Sequence, residues 1–283
     1  MKLVRFGEKG REKPGILDEN SDIRDLSAFI KDLDPENLTN SDIFAKIRQL
    51  DLLNLPKVEV GVRLGSPIKV LGKLIFIGFN SHNHAKEMGV TIDSSVEPIV
   101  FMKPNSVVSG PFDPIKYAKS ISKLDWEAEL AVVIGKQGKY ISSTEVHEHI
   151  FGFTCCNDLT DRFLQFETND KQFTKGKCFD GSAPLGPYLV TKDENLVANN
   201  LDIKLWVNDE LRQDFNTKDY IRDVSEVVSY VSNFFTLYPG DVISMGSAPG
   251  SAASWGYKYL QVNDEIRLEI SGLGQQKQKI ILE

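Results

Sequence analysis

The chain has 283 residues, 41% of them hydrophobic and 26% charged, with a formal net charge of −7, a composition that suits a globular protein able to bury a sizeable core. The acidic balance offers no basic face to nucleic acid, and the absence of any run of about 18 apolar residues argues against a membrane span. The start MKLVRFGEKGREKPG lacks the apolar stretch of a secretory signal, so a cytoplasmic protein is expected, with Cys155, Cys156 and Cys178 reduced and structural because they form no CxxC pair.

Taken in order, residues 1–6 and 15–17 read as short strands, and 41–50 as an amphipathic helix with Ser41 as its N-cap. From Asn54 the chain is punctuated by Pro56, Gly61, Gly65 and Pro67, the pattern of a junction. It divides residues 1–66, a small α+β domain, from residues 67–283. Residues 73–79 form an apolar strand that runs into a short helix over 80–89, begun by Asn80 or Ser81 and stopped by Gly89. On that helix His84 and Glu87, three apart, share a face. A carboxylate beside an imidazole fixes its tautomer and raises its basicity, as a water-activating base requires; an exposed polar pair is the other reading. His82 faces elsewhere. Residues 97–103 (EPIVFMK) give a second apolar strand.

Residues 123–135 (KLDWEAELAVVIG) place acidic groups inside the most apolar run of the chain. Strand alternation puts Asp125, Glu127 and Glu129 on one face and Trp126, Ala128 and Leu130 on the other. Carboxylates so close raise one another's pKa or recruit a cation, and hard oxygen ligands suit Mg²⁺, Mn²⁺ or Ca²⁺. The alternative is the solvated face of an edge strand. Residues 144–150 form a short helix whose His147 and His149 face apart and carry no chemistry. Over 157–166, Asp158, Arg162 and Gln165 stand at i, i+4 and i+7 of a helical pattern, opposite Leu159, Phe163 and Phe166. This is either an exposed ion pair or a metal ligand followed by two substrate-binding groups. Residues 175–188 are a Gly- and Pro-rich loop bearing Lys177, without the GxxxxGK[ST] spacing of a P-loop. A hairpin over 202–214, a helix over 224–235, a strand over 241–245, a small-residue loop over 246–254 able to offer N–H groups to an anion, and two closing strands complete the chain.

The ordered segments GFNSHNHAKEMG, PIVFMK, LDWEAELAVVIGK, GFTCCNDLTDR, GKCFDGSAPLGP, YPGDVISMGS and ISGLG resemble the fumarylacetoacetate hydrolase family, from residue 73 to the C-terminus. The opening MKLVRFG and EKPGILD resemble a bacterial branch labelled ureidoglycolate lyase, which includes enzymes hydrolysing 2,4-diketo-3-deoxy sugar acids. The resemblance implies an α+β, β-rich mixed fold, with a rolled sheet as catalytic domain behind the small N-terminal domain. It implies one divalent metal, usually Mg²⁺, on Glu127, Glu129 and Asp158. It gives His84 and Glu87 the activation of water, Lys177 a cationic role beside the substrate, and Arg162, Gln165 and Ser247 substrate binding. The implied reaction is cleavage of a C–C bond in a 2,4-diketo, acylpyruvate-like acid to pyruvate or a related keto acid plus a second acid. Decarboxylation, isomerisation and a lyase reaction are the alternatives on the same scaffold, and a non-catalytic keto-acid binder is the reading of a different class. A homodimer is also implied. The chain departs from the family pattern at Ser81, usually Tyr; Asn83, usually acidic; Gly181-Ser182 after Asp180; Ser247-Ala248 after Gly246; and Arg222, usually apolar.

Overall fold

In the computed structural model, which describes residues 1–69, 72–87, 96–194 and 196–283, the run of small and β-branched residues over Ala128–Ile134 is a strand buried on both faces. It lies inside a nine-stranded sheet whose order is Ile23–Asp25, Lys13–Leu17, Lys2–Phe6, Leu189–Thr191, Ile150–Asn157, Ala128–Ile134, Val242–Ser244, Leu74–Gly78 and Ile99–Lys103. Paired with Ile150–Asn157 on one side and Val242–Ser244 on the other, the acidic strand is not an edge, which removes the solvated-edge reading. The parallel pairing of Val242–Ser244 with Leu74–Gly78 makes the sheet mixed.

Period-two alternation decides what each face meets. Trp126, Ala128, Leu130 and Val132 join a core with Ile203, Leu205, Ile266 and Leu268, residues of a five-stranded sheet ordered Glu210–Asn216, Asp202–Val207, Glu265–Ile270, Gly274–Leu282 and Ile115–Tyr117. Ala131 and Val133 meet Leu3, Ile16, Leu74 and Phe44 in a second core. The fold is α+β and β-rich, as expected. The strand Lys2–Phe6 pairs with Leu189–Thr191, so the first strands extend the main sheet, and the second core draws on residues from both sides of residue 66.

Several local expectations change. The helix Ser41–Arg48 is capped by Asn40 rather than Ser41, the Asn40 side chain accepting the Ile43 N–H. The hairpin turn is two residues, Asn208 and Asp209, both left-handed at φ 49° and 65° as a two-residue turn of that twist requires. The helix expected over 157–166 does not form: Thr160–Asp161 pairs with Leu124–Asp125, and only Phe163–Glu167 coils, as a π-helix. Asp161 sets this course by accepting the N–H groups of Ser122, Lys123 and Phe163. Leu159 is therefore fully buried while Phe163 is exposed, not one stripe. Lys177 ends a short helix, Phe173–Lys177, rather than lying in a loop. His82 is exposed where His84 is buried, and the expected stop at Gly89 lies outside the described residues. All three cysteines are free thiols. No helix among the described residues is long and apolar enough to cross a membrane.

Candidate active site

The antiparallel register sets Glu129 opposite Cys156 and Ala128 opposite Asn157. One step further on, Asp158 comes to face Glu127, whose carbonyl accepts the Asp158 N–H at 2.9 Å. Carboxylate oxygens of Glu127, Glu129 and Asp158 thereby lie within 4.8 Å of one another, all three residues buried.

Such a cluster costs more than the fold gains unless it is compensated, and three cations converge on it. Lys177 Nζ donates to Glu127 Oε2 at 2.7 Å, Asp158 Oδ2 at 2.6 Å and Thr160 Oγ1 at 2.8 Å. Arg162 donates to Glu127 Oε1 at 2.7 Å, Asp125 Oδ2 at 2.8 Å and Gln165 Oε1 at 2.9 Å. Lys103 Nζ donates to the carbonyls of Leu159 and Ser182 and lies 2.5 Å from Asp158 Oδ1. That last contact is an ion pair out of line for a hydrogen bond, so Asp158 Oδ1 is buried without a donor.

Three cations against Asp125, Glu127 and Asp158 make a neutral set, and Glu129 is a fourth carboxylate. Burial, reinforced by the charges of Asp158 and Glu127, pushes Glu129 well above the usual carboxylate range, against the hydrogen bond from Ser244 Oγ at 2.5 Å. Burial also pushes Glu127 upward, but Lys177 and Arg162 outweigh it and hold Glu127 far below that range. For Lys177, burial works against the charged form and is overcome by Asp158 and Glu127. Three buried carboxylates, one with an oxygen that has no hydrogen-bond donor among the described residues and one pushed above the usual carboxylate range, fit a hard divalent cation.

Before the helix His82–Glu87, Phe79 takes φ 55°, a left-handed turn that redirects the chain out of the Leu74–Gly78 strand. His84 Nδ1 lies 2.9 Å from Glu87 Oε2, and its ring stacks on Phe79 with centroids 5.7 Å apart. Glu87 Oε1 accepts the Gly250 N–H at 3.0 Å. Gly250 has φ +101°, and a Cβ there would lie 2.0 Å from the Arg212 carbonyl, so no other residue fits that backbone. The small-residue loop thus spends this N–H on Glu87 rather than on a ligand. Ser247 Oγ accepts from Gln213 Nε2 at 3.0 Å, while Gln213 Oε1 holds the Ala128 N–H at 2.9 Å.

The acidic triad, His84, Lys177, Arg162, Gln165 and Ser247 all line one cavity of about 260 Å³; of the residues singled out from the sequence, only Glu87 is set back, behind His84. His147, exposed, and His149, half-buried, lie outside it, each with Nδ1 against a backbone carbonyl. Sequence reasoning missed Lys103, Gln213 and Gly250. The signal for Lys103 was a lysine closing an apolar strand just before Pro104, where a solvated charge needs no such strand.

The sequence model of the fumarylacetoacetate (FAA) hydrolase C-terminal family matches residues 73–281. A 2,4-didehydro-3-deoxy-L-rhamnonate hydrolase of Sphingomonas sp. (strain SKA58) is 40% identical over 284 residues, covering 99% of this chain and 96% of the relative. Among solved structures, a fumarylacetoacetate hydrolase from psychrophilic Exiguobacterium antarcticum has a TM-score of 0.87 at 33% identity, with 100% of each chain covered. A maleylpyruvate hydrolase from Sphingobium sp. SYK-6, solved with manganese(II) and pyruvate, has a TM-score of 0.83 at 26% identity over 100% of this chain and 99% of its own. The converging triad, the imidazole beside it and these matches make the chain an enzyme of the fumarylacetoacetate hydrolase family.

Proposed function

We propose that the enzyme is a divalent-metal-dependent hydrolase that cleaves a C–C bond in a 2,4-diketo acid, giving pyruvate or a related keto acid and a second acid. The observation that carries this reading is the opening of His84 and the acidic triad into one cavity. Mg²⁺ is the proposed ion, since the donors are all carboxylate oxygens; the Sphingobium relative was solved in complex with manganese(II) and pyruvate. Glu127, Glu129 and Asp158 would hold the cation, which would supply Lewis acidity to a bound keto acid.

The rest of the chemistry belongs to the chain. With Nδ1 turned to Glu87, His84 keeps Nε2 to take a proton from water, and the Glu87 charge stabilises the imidazolium. The hydroxide adds to the distal keto carbon. The bond to the neighbouring methylene breaks, its electron pair passes to the keto-acid fragment as an enolate, and a proton on that carbon completes the product. Lys177, held charged by Asp158 and Glu127, faces this developing negative charge. Arg162 and Gln165 form the wall against which the distal part of the substrate rests.

Purified protein with Mg²⁺ or Mn²⁺ is tested against acylpyruvates and 2,4-diketo-3-deoxy sugar acids by loss of the diketone absorbance, with products identified by mass spectrometry. Two organic acids are expected. No turnover on any of them overturns the reading, and CO₂ as product replaces it with a decarboxylase. We also propose a homodimer, supported by the outermost strand Ile99–Lys103, whose Ile99 and Met102 are exposed.

A further inference from the structure

We propose that Asp219 is a positioning residue for His84, acting through Ser81 and Asn83; the inference rests on the reading of His84 as the base. Asp219 closes the turn Thr217–Asp219 behind the strand Glu210–Asn216, more than a hundred residues from His84. Its carboxylate accepts three hydrogen bonds at the start of the His82–Glu87 helix. Ser81 Oγ donates to Oδ2 at 2.5 Å, the Asn83 side-chain amide to Oδ1 at 2.6 Å, and the Asn83 N–H to Oδ2 at 3.3 Å. Ser81 Oγ in turn accepts the His84 N–H at 3.2 Å. The Asp219 carboxylate is thus one hydroxyl away from the backbone of the proposed base.

A helix of six described residues has too few internal bonds to hold its own place, so its seat is set by what it is tied to. Asn80 strengthens the tie: its side chain exchanges bonds with the backbone N–H and carbonyl of Arg222 at 3.0 Å each, and also donates to the Met245 carbonyl at 2.9 Å. The far end of the helix is held by Glu87 on the Gly250 N–H. A negative charge at the first turn also suits the helix dipole.

The residue types match this task. A hydroxyl donates once and still accepts, so Ser81 can bridge Asp219 to the His84 N–H, and the Asn83 amide supplies a donor that a carboxylate lacks. These are the two positions where the chain departs from the family pattern beside the base. Neither Ser81 nor Asn83 lines the cavity, so the departures serve the seating of His84 and not contact with substrate.

The test compares Asp219→Ala and Asp219→Asn in the wild-type and His84→Ala backgrounds. Asp219→Ala is expected to lower kcat by about 10- to 100-fold, the scale set by a misplaced reacting group, with KM and the Mg²⁺ concentration for half-activity unchanged. Asp219→Asn, which keeps an acceptor for Ser81, is expected to recover part of that loss. In the His84→Ala background Asp219→Ala should cost nothing more, because its only route to the chemistry is gone. Hydrogen–deuterium exchange should quicken over residues 81–87 in Asp219→Ala and stay unchanged over the Ala128–Ile134 strand. If Asp219→Ala does not fold, Ser81→Ala with Asn83→Ala removes the two side-chain bonds to Asp219 and the Ser81 bridge to the His84 N–H, and is expected to give the same result. Wild-type kcat in these variants, an equal further loss in the His84→Ala background, or unchanged exchange over 81–87 overturns the proposal. If the wild-type enzyme turns over no diketo acid, the functional reading fails, while the exchange measurement still decides whether Asp219 seats the helix.

Discussion

Glu127 and Glu129 stand two residues apart on one face, yet replacing each by glutamine is expected to do opposite things to the metal-free protein. Glu127→Gln strips the charge that faces both Lys177 and Arg162. Breaking a buried pair from one side costs about 3–5 kcal/mol. Ionisation of Glu129 returns part of the missing charge, but that carboxylate is tied to Ser244 and the Gly246 N–H, so we set the loss near ~3 kcal/mol. Glu129→Gln replaces a carboxyl that burial and the charges of Asp158 and Glu127 push above the usual carboxylate range by an amide of the same shape. Its carbonyl oxygen can still accept from Ser244 and Gly246, and the change should stay within about 1 kcal/mol. Both substitutions lower metal affinity steeply, since each removes an anionic ligand. Urea unfolding in EDTA measures the first effect and calorimetric titration with Mg²⁺ the second. Equal destabilisation of the two metal-free variants, or a larger loss in Glu129→Gln, refutes the charge assignment within the cluster.

Four further outcomes are expected. His84→Ala should cost about 10²- to 10⁴-fold in kcat with metal affinity unchanged and no rescue by excess Mg²⁺; Glu87→Gln should act in the same direction but less, and near wild-type turnover in His84→Ala would move the chemistry away from a water-activating base. Metal affinity should rise with pH, and one proton should be released per ion as Glu129 ionises, read by titration calorimetry in buffers of different ionisation heat. In metal-free protein the stability from Glu129, raised in the folded state, is present below its unfolded value and lost as pH rises through the folded one. That from Glu127, lowered in the folded state, is present above its unfolded value and lost as pH falls through the folded one. Light scattering at micromolar concentration should give a dimer mass, and a monomer mass would leave the Ile99–Lys103 edge without its proposed partner.

What could be read in the sequence was what is local. Alternation over residues 125–130 is fixed by strand geometry, so the acidic face and the opposite Trp126, Ala128 and Leu130 face could be assigned before any fold was known. The same holds for His84 and Glu87, which meet because one helical turn separates them. Residues 157–166 mislead for a physical reason. Asp158 and Arg162 do both reach Glu127's surroundings, as a helical pair might, but the backbone between them is extended and paired to Leu124–Asp125. Spacing alone does not separate a shared helix face from two side chains converging across a bend.

The cations explain why the site was only half legible. Three carboxylates of the cluster lie on or beside one strand, at 125, 127 and 129, so sequence shows them together. Their counter-charges come from three other places: Lys103 at the end of an outer strand, Arg162 beyond Thr160–Asp161, and Lys177 at the end of a short helix. Nothing local ties these to Glu127, because they converge only once the sheet has formed. The division has a functional consequence. Lys103, Arg162 and Lys177 balance the charges of Asp125, Glu127 and Asp158 within the chain itself. Glu129 is left over, pushed above the usual carboxylate range by burial and by the charges of Asp158 and Glu127, and a divalent cation held there would favour its ionised form. A site built in this way is shaped by the protein's own charges, with burial and the charges of Asp158 and Glu127 pushing Glu129 above the usual carboxylate range.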